Sequence, residues 1–231
     1  MNFEDVVVIV TGASKGIGHC LANILSQYGA NVIGIYNNTK IKDTVFESYK
    51  CNIGSEKEIE RLIKYVENKY GKIDVLINCA ALCRDDDIYV KSGKDFLEVL
   101  NVNLVAPFLL CKYASKIMSK GVIINISSTD AQDTYDPYSM DYAASKAGLE
   151  NLTKNLALRF PNLKVCALAP GWVNTETVSQ MDPKYLKEAL EKSGQKELLR
   201  KEDIAVKIIE MIINNDDYIS GDIVRMDGRY E

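Results

Sequence analysis

A hydroxyl, a phenol and an amine are spaced in this sequence as a proton-transfer site would need them. Ser128 follows an apolar stretch, and Tyr142 and Lys146 lie one helical turn apart in a stretch with a helical pattern. That spacing puts both on one face of a helix. A nearby ammonium stabilises phenolate and lowers a tyrosine pKa from its usual value of about 10. We expect Tyr142 to exchange a proton with a carbonyl or alcohol oxygen, while Ser128 donates a hydrogen bond to the developing alkoxide.

The tyrosine–lysine spacing is not specific by itself, because Tyr36/Lys40 and Tyr65/Lys69 repeat it. Tyr65/Lys69 lies in an ordinary charged helical pattern, where such a pair is a surface contact worth a few tenths of a kcal/mol. Tyr36/Lys40 runs from a strand pattern into a loop, where the spacing has no helical meaning. The surrounding sequence therefore favours the pair at Tyr142.

A glycine-rich turn follows the first apolar run of the chain. It reads Thr-Gly-Ala-Ser-Lys-Gly-Ile-Gly over residues 11–18 and opens a helical pattern. Glycine lets the backbone approach a pyrophosphate closely, and a helix N-terminus offers free N–H groups and a positive dipole end. The lysine and serine or threonine that end a P-loop are missing here. We expect a dinucleotide to contact Gly12, Ser14, Lys15, Gly16, Ile17 and Gly18.

The end of the second apolar run bears on the choice of coenzyme. A carboxylate at that point usually accepts a hydrogen bond from the ribose 2′-hydroxyl of NAD. Tyr36 and Asn37 stand there instead. A carboxylate would repel a 2′-phosphate, and Lys15 could attract one, so the sequence favours NADP(H) over NAD(H). The alternative is that Lys15 and Lys40 are ordinary solvated lysines.

The elements that must position these residues alternate between short apolar runs and longer helical patterns. The runs at 6–10, 32–35, 75–77, 122–126 and 165–168 are continuously apolar, as parallel strands covered on both faces require. Helices are predicted at 17–28, 55–70, 94–118, 140–159 and 202–214. The alternation predicts one α/β domain over residues 1–231, a Rossmann-type doubly wound parallel sheet of about seven strands with helices on both faces.

Local signals predict some element boundaries. Ser55 and Glu58 read as a capping box, and Gly71 as the stop of the same helix. The connection at 38–46 is short for a crossover helix. Residues 172–200 are polar and irregular, with one helix near 183–192, and that length suits a mobile lid over a site.

Composition excludes several classes of function. The net charge is −4, and no run of lysine or arginine predicts nucleic acid or an anionic membrane as partner. The N-terminus lacks the basic start and apolar stretch of a signal peptide, so we expect a cytoplasmic protein. Six scattered cysteines without a Cys-x-x-Cys pair, together with one histidine, predict reduced thiols and no metal site.

Taken together and in order, these motifs resemble the classical short-chain dehydrogenase/reductase family. The resemblance runs over nearly the whole chain. Its pieces are residues 11–18, the Asn-Cys-Ala-Ala stretch at 78–81, Asn103 within Val-Asn-Leu, Ser128, Tyr142 with Lys146, and Pro170-Gly171.

The resemblance implies roles for the polar residues. Tyr142 would be the catalytic acid and base, Lys146 would also bind the nicotinamide ribose, Ser128 would orient the carbonyl, and Asn103 would hold a water in a proton relay. Further residues would border the coenzyme: Asn52 and Ile53 near the adenine, Asn78 and Ala80 beside the middle, and Pro170, Gly171 and Val173 on the nicotinamide side.

The chain also departs from the family pattern. Cys79 and Ala81 replace the usual asparagine and glycine. Ser128 and Tyr142 are 14 positions apart, one more than is commonest, so Ser127 is a rival for the serine role. The ending Met-Asp-Gly-Arg at 226–229 alters an assembly contact. Ala143, Ala144, Ala147 and Gly148 form a face of small residues that allows close helix packing. The resemblance implies subunit contacts through this helix, so we expect a homodimer or homotetramer.

The substrate is open between two readings. The resemblance is nearest to members that reduce 3-oxoacyl groups on acyl carrier protein, which makes a 3-oxoacyl thioester the leading prediction. An acidic carrier should want basic residues at the mouth of the site, yet Asp130, Asp133, Asp136 and Glu176 are acidic. A small ketone, a sugar or another alcohol is the alternative. A dinucleotide sensor without turnover would not need all of the polar residues, and a serine hydrolase would need Gly-x-Ser-x-Gly, which is absent.

Overall fold

The computed structural model describes residues 3–41, 44–214 and 217–229. In this part of the chain, seven strands form one parallel sheet. The five predicted apolar runs are confirmed as strands, with somewhat wider bounds. They are β1 (Val7–Thr11), β2 (Asn31–Tyr36), β4 (Val75–Asn78), β5 (Gly121–Ile126) and β6 (Leu163–Pro170).

Four strands were not predicted, because their sequences contain no continuous apolar run. β3 (Glu47–Lys50) and β9 (Ile223–Met226) are the two edges of the sheet, where one side needs no neighbouring strand and side chains are only partly buried. The two-residue strands β7 (Val173–Asn174) and β8 (Leu199–Arg200) pair with each other, parallel, beside the main sheet.

The strand order places a crevice in the middle of the sheet. The order is β3-β2-β1-β4-β5-β6-β9. From β1 the chain moves outward in one direction to β3, then crosses back to continue with β4 on the other side. Open sheets bind ligands outside the carboxyl ends of the strands at such a reversal. The loops after β1 and β4 are therefore the expected walls of a ligand site.

Helices cover both faces of the sheet, as predicted. α1 (Gly16–Gln27) and α7 (Lys201–Ile213) bury their apolar sides on one face. On the other face lie α2 (Glu56–Tyr70), α4 (Ala106–Ala114) and α5 (Met140–Arg159). The remaining helices are α3 (Gly93–Leu100), which contacts α5, and α6 (Pro183–Ser193).

The helix predicted over 94–118 is interrupted. A π-helical turn, Asn101–Val105, separates α3 from α4, which ends at Ala114. Pro107 has no N–H to donate to the carbonyl four residues earlier, at Asn103, and a wider turn accommodates the lost bond. By length and composition alone, the continuous stretch Gly93–Ala114 could cross a membrane. That test is weak, since core helices also pass it, and here the stretch packs on α2, α5 and β4.

The boundary signals of α2 were half right. Gly71 ends the helix with a left-handed backbone, φ 72°, as predicted. The capping box was wrong: Ser55 makes no side-chain cap bond, and the Glu58 carboxylate instead accepts from the Asn52 N–H at 2.7 Å.

The predicted lid segment is bounded by the β7–β8 pair and contains α6. Asp182 caps α6 by accepting from the N–H groups of Lys184 and Tyr185. A 3₁₀ turn, Val178–Gln180, precedes it. In the connection at 38–46, the described residues 38–41 and 44–46 contain no helix, and residues 42 and 43 lie outside the described ranges. Motion of the lid stays a prediction.

A buried ion pair attaches the loop after β4 to α5. The Lys91 ammonium lies 2.8 Å from the Asp141 carboxylate and 2.7 Å from the Arg84 carbonyl oxygen. Their side chains are 5% and 0% exposed. Asp141 also accepts from the Tyr142 N–H at 2.9 Å. The pair therefore fixes the loop against the first turn of α5, next to the tyrosine.

Lys91→Ala should destabilise the fold by about 3–5 kcal/mol, because removing one partner leaves a desolvated carboxylate without its counter-charge. Urea unfolding followed by circular dichroism measures the change. The control is Lys187→Ala, whose exposed partner Glu191 lies 3.9 Å away, and which should cost less than about 1 kcal/mol. Equal losses from both variants would contradict the interpretation.

Candidate active site

Two adjoining cavities open at the carboxyl edge of the sheet. One is a groove of about 500 Å³ beside the glycine loop. The other, of about 440 Å³, contains Ser128, Tyr142 and Lys146. They share lining residues, including Lys15, Ile17 and Cys79, so they form one continuous recess.

Most of the residues predicted to bind the coenzyme line this recess. In the groove are Gly12, Ser14, Lys15, Gly16, Ile17, Gly18, Tyr36, Asn37, Asn52, Ile53 and Ala80. In the cavity are Pro170, Gly171 and Val173, together with Tyr142 and Lys146.

The glycine loop has the shape that a dinucleotide needs. Gly12 has φ 71°, and a Cβ added there would lie 2.8 Å from the Ala80 Cα. A Cβ added at Gly18 would lie 2.6 Å from the Gly12 carbonyl oxygen. The absence of side chains thus brings the loop, the next strand end and the N-terminus of α1 close together. The residues present fit a bound dinucleotide.

Thr11 joins the two walls of the crevice, and sequence reasoning missed it. Its hydroxyl accepts from the N–H groups of Cys79 and Ala80, both at 3.0 Å, and donates to the Ile77 carbonyl oxygen at 3.3 Å. Its position at the end of β1, directly before the glycine loop, was the available signal. These bonds hold the 78–81 stretch in place although Cys79 and Ala81 depart from the family pattern.

Lys146 is buried next to the tyrosine. It is 2% exposed, and its ammonium donates to the Ile126 carbonyl oxygen at 2.6 Å. The Lys146 Nζ lies 5.4 Å from the centre of the Tyr142 ring. Burial lowers the pKa of Lys146 to about 8, so the side chain is still mainly charged at neutral pH.

The pKa of Tyr142 is raised, which corrects the expectation that Lys146 would lower it. Burial is the largest cause, and the Asp130 carboxylate adds to it, while the neighbouring Ser128 hydroxyl opposes it. A tyrosine with a raised pKa keeps its proton at neutral pH. That is the form required of a group that donates a proton to an oxygen.

The two rival serines point in different directions. The Ser127 hydroxyl donates to the Glu150 carboxylate of α5 at 2.9 Å. Ser128 lines the cavity together with Tyr142 and lowers the pKa of that tyrosine, and its oxygen accepts from the Asp130 N–H at 3.2 Å. The residues between Ser128 and Tyr142 include a 3₁₀ turn, Thr129–Ala131, which accommodates the longer spacing.

Asn103 and Asn78 do not line either cavity. Asn103 is fully buried, and its amide binds the backbone N–H and carbonyl of Leu82 and the Ser145 hydroxyl, at 2.8–3.0 Å. Asn78 donates to the Asn125 side chain at 2.8 Å inside the core. The amide of Asn78, at the end of β4, is thus turned toward β5, and its place beside the coenzyme stays a prediction. The Asn103 side chain holds a wall of the cavity, and its relay role stays a prediction.

Gln195 and Trp172 were not assigned to the base of the lid. Gln195 is 4% exposed and accepts from the Trp172 N–H at 2.8 Å, while its amide nitrogen donates to the Trp172 and Glu197 carbonyl oxygens, each at 2.7 Å. A Cβ added at Gly171 would lie 2.4 Å from the Gln195 side-chain oxygen. Nothing in the sequence singles out this glutamine.

Three carboxylates line the same cavity as the tyrosine. Asp85, Asp130 and Asp136 line it. Burial, together with the negative charges of Asp136 and Asp85, raises the pKa of Asp130 to about 6. Among the described residues Asp130 has no ion-pair partner. Asp133 differs, since Arg225 at 2.8 Å and Arg229 at 2.9 Å neutralise it.

Comparisons with known proteins agree with this geometry. A family model described as enoyl-(acyl carrier protein) reductase, a branch of the short-chain dehydrogenases/reductases, matches residues 12–231. The 3-oxoacyl-[acyl-carrier-protein] reductase FabG of Thermotoga maritima is 31% identical over 99% of this chain and 98% of its own length.

Two solved structures are similar in fold and sequence. The aldohexose dehydrogenase of Thermoplasma acidophilum has a TM-score of 0.88 at 25% identity, over 98% of this chain and 94% of its own. A dehydrogenase/reductase from Sinorhizobium meliloti has a TM-score of 0.90 at 27% identity, over 98% and 95%. The chain belongs to the short-chain dehydrogenase/reductase family, and it is an oxidoreductase of alcohol and ketone groups that uses a nicotinamide dinucleotide.

Proposed function

We propose that this protein is an NADP(H)-dependent reductase that converts a ketone to an alcohol, with 3-oxoacyl thioesters as its leading substrates. The observation that carries the proposal is the Tyr142 phenol. It lines the same cavity as the Ser128 hydroxyl and lies beside the buried Lys146 ammonium, and this cavity is continuous with the glycine-loop groove.

The bound coenzyme supplies the hydride, which forms the new C–H bond at the carbonyl carbon. Ser128 and Tyr142 bind the carbonyl oxygen, so that negative charge developing there meets two hydroxyl donors. Tyr142 gives its proton to that oxygen and becomes phenolate. The Lys146 ammonium stabilises the phenolate until it regains a proton. Since the pKa of Tyr142 is raised, the tyrosine is protonated at neutral pH and can act as the acid.

Two observations bear on the substrate and point in different directions. The relative from Thermotoga maritima is named for reduction of 3-oxoacyl groups on acyl carrier protein, which supports a thioester. Asp85, Asp130 and Asp136, which line the cavity, favour the second candidate, a small carbonyl compound such as a sugar, because carboxylates accept hydrogen bonds from hydroxyl groups and repel an acidic carrier. The similarity to an aldohexose dehydrogenase supports the same candidate.

Glu176 is not one of the carboxylates that an acidic carrier would meet at the mouth of the substrate cavity. Its carboxylate is bound at the glycine loop and at Lys201, on the coenzyme side of the recess.

We also propose that the protein is cytoplasmic and forms a homodimer or homotetramer. α3, the π-helical turn and α4 expose Leu97, Val105 and Phe108, which are 66%, 41% and 44% exposed. Contact with a second copy would remove this apolar surface from water.

Tyr142→Phe should reduce kcat by about 100- to 10,000-fold, because the general acid is lost while the ring still fills its place. Binding of NADPH, followed by its fluorescence, should stay within about twofold of the original protein. Tyr65→Phe is the matched control, since it removes a phenol from the repeated spacing in α2, remote from the cavity. Retained turnover in Tyr142→Phe would remove Tyr142 as the acid.

NADPH should bind at least about tenfold more tightly than NADH, because charge-assisted bonds to a phosphate add roughly 1.5–3 kcal/mol. Lys15→Gln should narrow the ratio; its amine donates to the Thr177 hydroxyl at 2.9 Å and would have to turn to the phosphate. Lys57→Gln, on the exposed side of α2, should leave the ratio unchanged. Titration by coenzyme fluorescence measures all three, and tighter NADH binding would refute the preference.

A carbonyl panel followed at the NADPH absorbance band distinguishes the two substrate candidates. Acetoacetyl thioesters should be reduced if the leading candidate is right. If sugars or small hydroxyketones respond and thioesters do not, the thioester proposal fails. With such a hydroxylated substrate, Asp130→Asn should raise KM by about tenfold through the loss of a charged acceptor. Asp133→Asn, whose carboxylate is already paired with arginines, should not.

A further inference from the structure

The lid closes onto the glycine loop through a carboxylate. One Glu176 side-chain oxygen, Oε2, accepts from the Gly16 N–H at 2.8 Å. The other, Oε1, lies 2.8 Å from the Lys201 ammonium. The next lid residue, Thr177, accepts from the Lys15 amine at 2.9 Å. Residues 15 and 16 of the loop are therefore bound by residues 176 and 177 of the lid.

The bound N–H belongs to the N-terminus of α1. Gly16 is the first residue of that helix, and Lys15, at the cap position, makes no side-chain cap bond. The first turn contains no acidic residue. An acid distant in sequence thus satisfies a free donor and meets the positive end of the helix dipole. Lys201 and then the backbone N–H groups lower the pKa of Glu176 to about 2, so it is an anion throughout the physiological range.

A dinucleotide makes demands on the same place. The N-terminus of a helix after a glycine loop binds phosphate through its free N–H groups and its dipole. The groove that contains Gly16 also contains Glu176. A carboxylate and a pyrophosphate cannot share one donor, and at short range they repel each other.

We propose that Glu176 competes with the coenzyme pyrophosphate for the N-terminus of α1 and so lowers coenzyme affinity and favours its release. Lys201 is the alternative partner that holds the carboxylate when the pyrophosphate binds. Glu176 is thus a positioning residue that couples the lid to occupancy of the groove. The proposal depends on the proposed function only in needing a dinucleotide, and not on its preference for NADP(H) or on the substrate.

The test compares Glu176→Gln with the original protein. Glutamine keeps an oxygen that can accept from Gly16 but removes the negative charge. The dissociation constants of NADPH and NADH, measured by fluorescence titration, should both fall by about tenfold or more. Adenosine 2′-monophosphate, which has no pyrophosphate, should bind equally to both proteins when measured by calorimetry. Glu202→Gln, which removes a negative charge near Lys201 without contact to Gly16, should leave all three constants within about twofold.

Lys201→Met provides an independent second variant. Without Lys201, the carboxylate has only the helix N-terminus as partner, so both coenzymes should bind more weakly. The double variant Glu176→Gln/Lys201→Met should recover the tight binding of Glu176→Gln. Thermal unfolding verifies that each variant is folded.

The result that overturns the proposal is a Glu176→Gln protein that binds both coenzymes equally or more weakly than the original. Glu176 would then only hold the lid in place. Failure of the proposed function would give different results. Tighter binding of NADH than of NADPH, or absence of turnover, would contradict the proposed function. Neither result would change the ratio of the dissociation constants of Glu176→Gln and the original protein for each coenzyme.

Discussion

The bond between the Lys146 ammonium and the Ile126 carbonyl oxygen is the constraint on which the site depends. A buried ammonium loses its hydration and needs a strong acceptor in return; here the acceptor is the last residue of β5, at 2.6 Å. The bond fixes α5 against the end of that strand. Tyr142, one turn earlier in α5, is thereby held next to Ser128, which follows the same strand end. One contact thus sets the geometry of three groups.

The same burial determines where protons reside. It lowers the pKa of Lys146 to about 8 and raises that of Tyr142. At neutral pH the amine is mainly charged and the phenol is neutral. The pair is then ready to give a proton, and the ammonium meets the phenolate only after the transfer. Sequence spacing alone suggested the opposite shift for the tyrosine, because spacing reports proximity but not desolvation.

The sequence predicted the structure correctly where one physical requirement determines the residue type. Gly12 and Gly18 stand where a side chain would collide, and continuous apolar runs became the central strands. Sequence was not informative where the structure of a residue depends on a partner distant in the chain. The edge strands β3 and β9 are half-polar, and they form strands only because they pair with a neighbouring strand. Asn78 was predicted to border the coenzyme and Asn103 to hold a relay water, but no sequence pattern indicates that their amides bind Asn125 and Leu82. Thr11 begins the glycine-rich motif, but its bonds to Cys79 and Ala80 depend on a partner distant in sequence, and Gln195 belongs to no motif.

Carboxylates lie at both ends of the recess and oppose the binding of an anion at each end. At the coenzyme end, Glu176 already satisfies the helix N-terminus with Lys201 beside it, so an incoming anion must displace a charge that the protein holds. In the substrate cavity, Asp130 lies near Asp85 and Asp136 and has no ion-pair partner among the described residues. A hydroxylated or cationic substrate would reduce the repulsion between these carboxylates, whereas an acidic carrier would increase it. Binding at either end therefore depends on carboxylates that the fold holds in place before a ligand binds. A chain whose glycine loop and strand order are general to its family can acquire its own selectivity through these few carboxylates, because exchanging them would disturb neither the sheet nor the Lys146 contact.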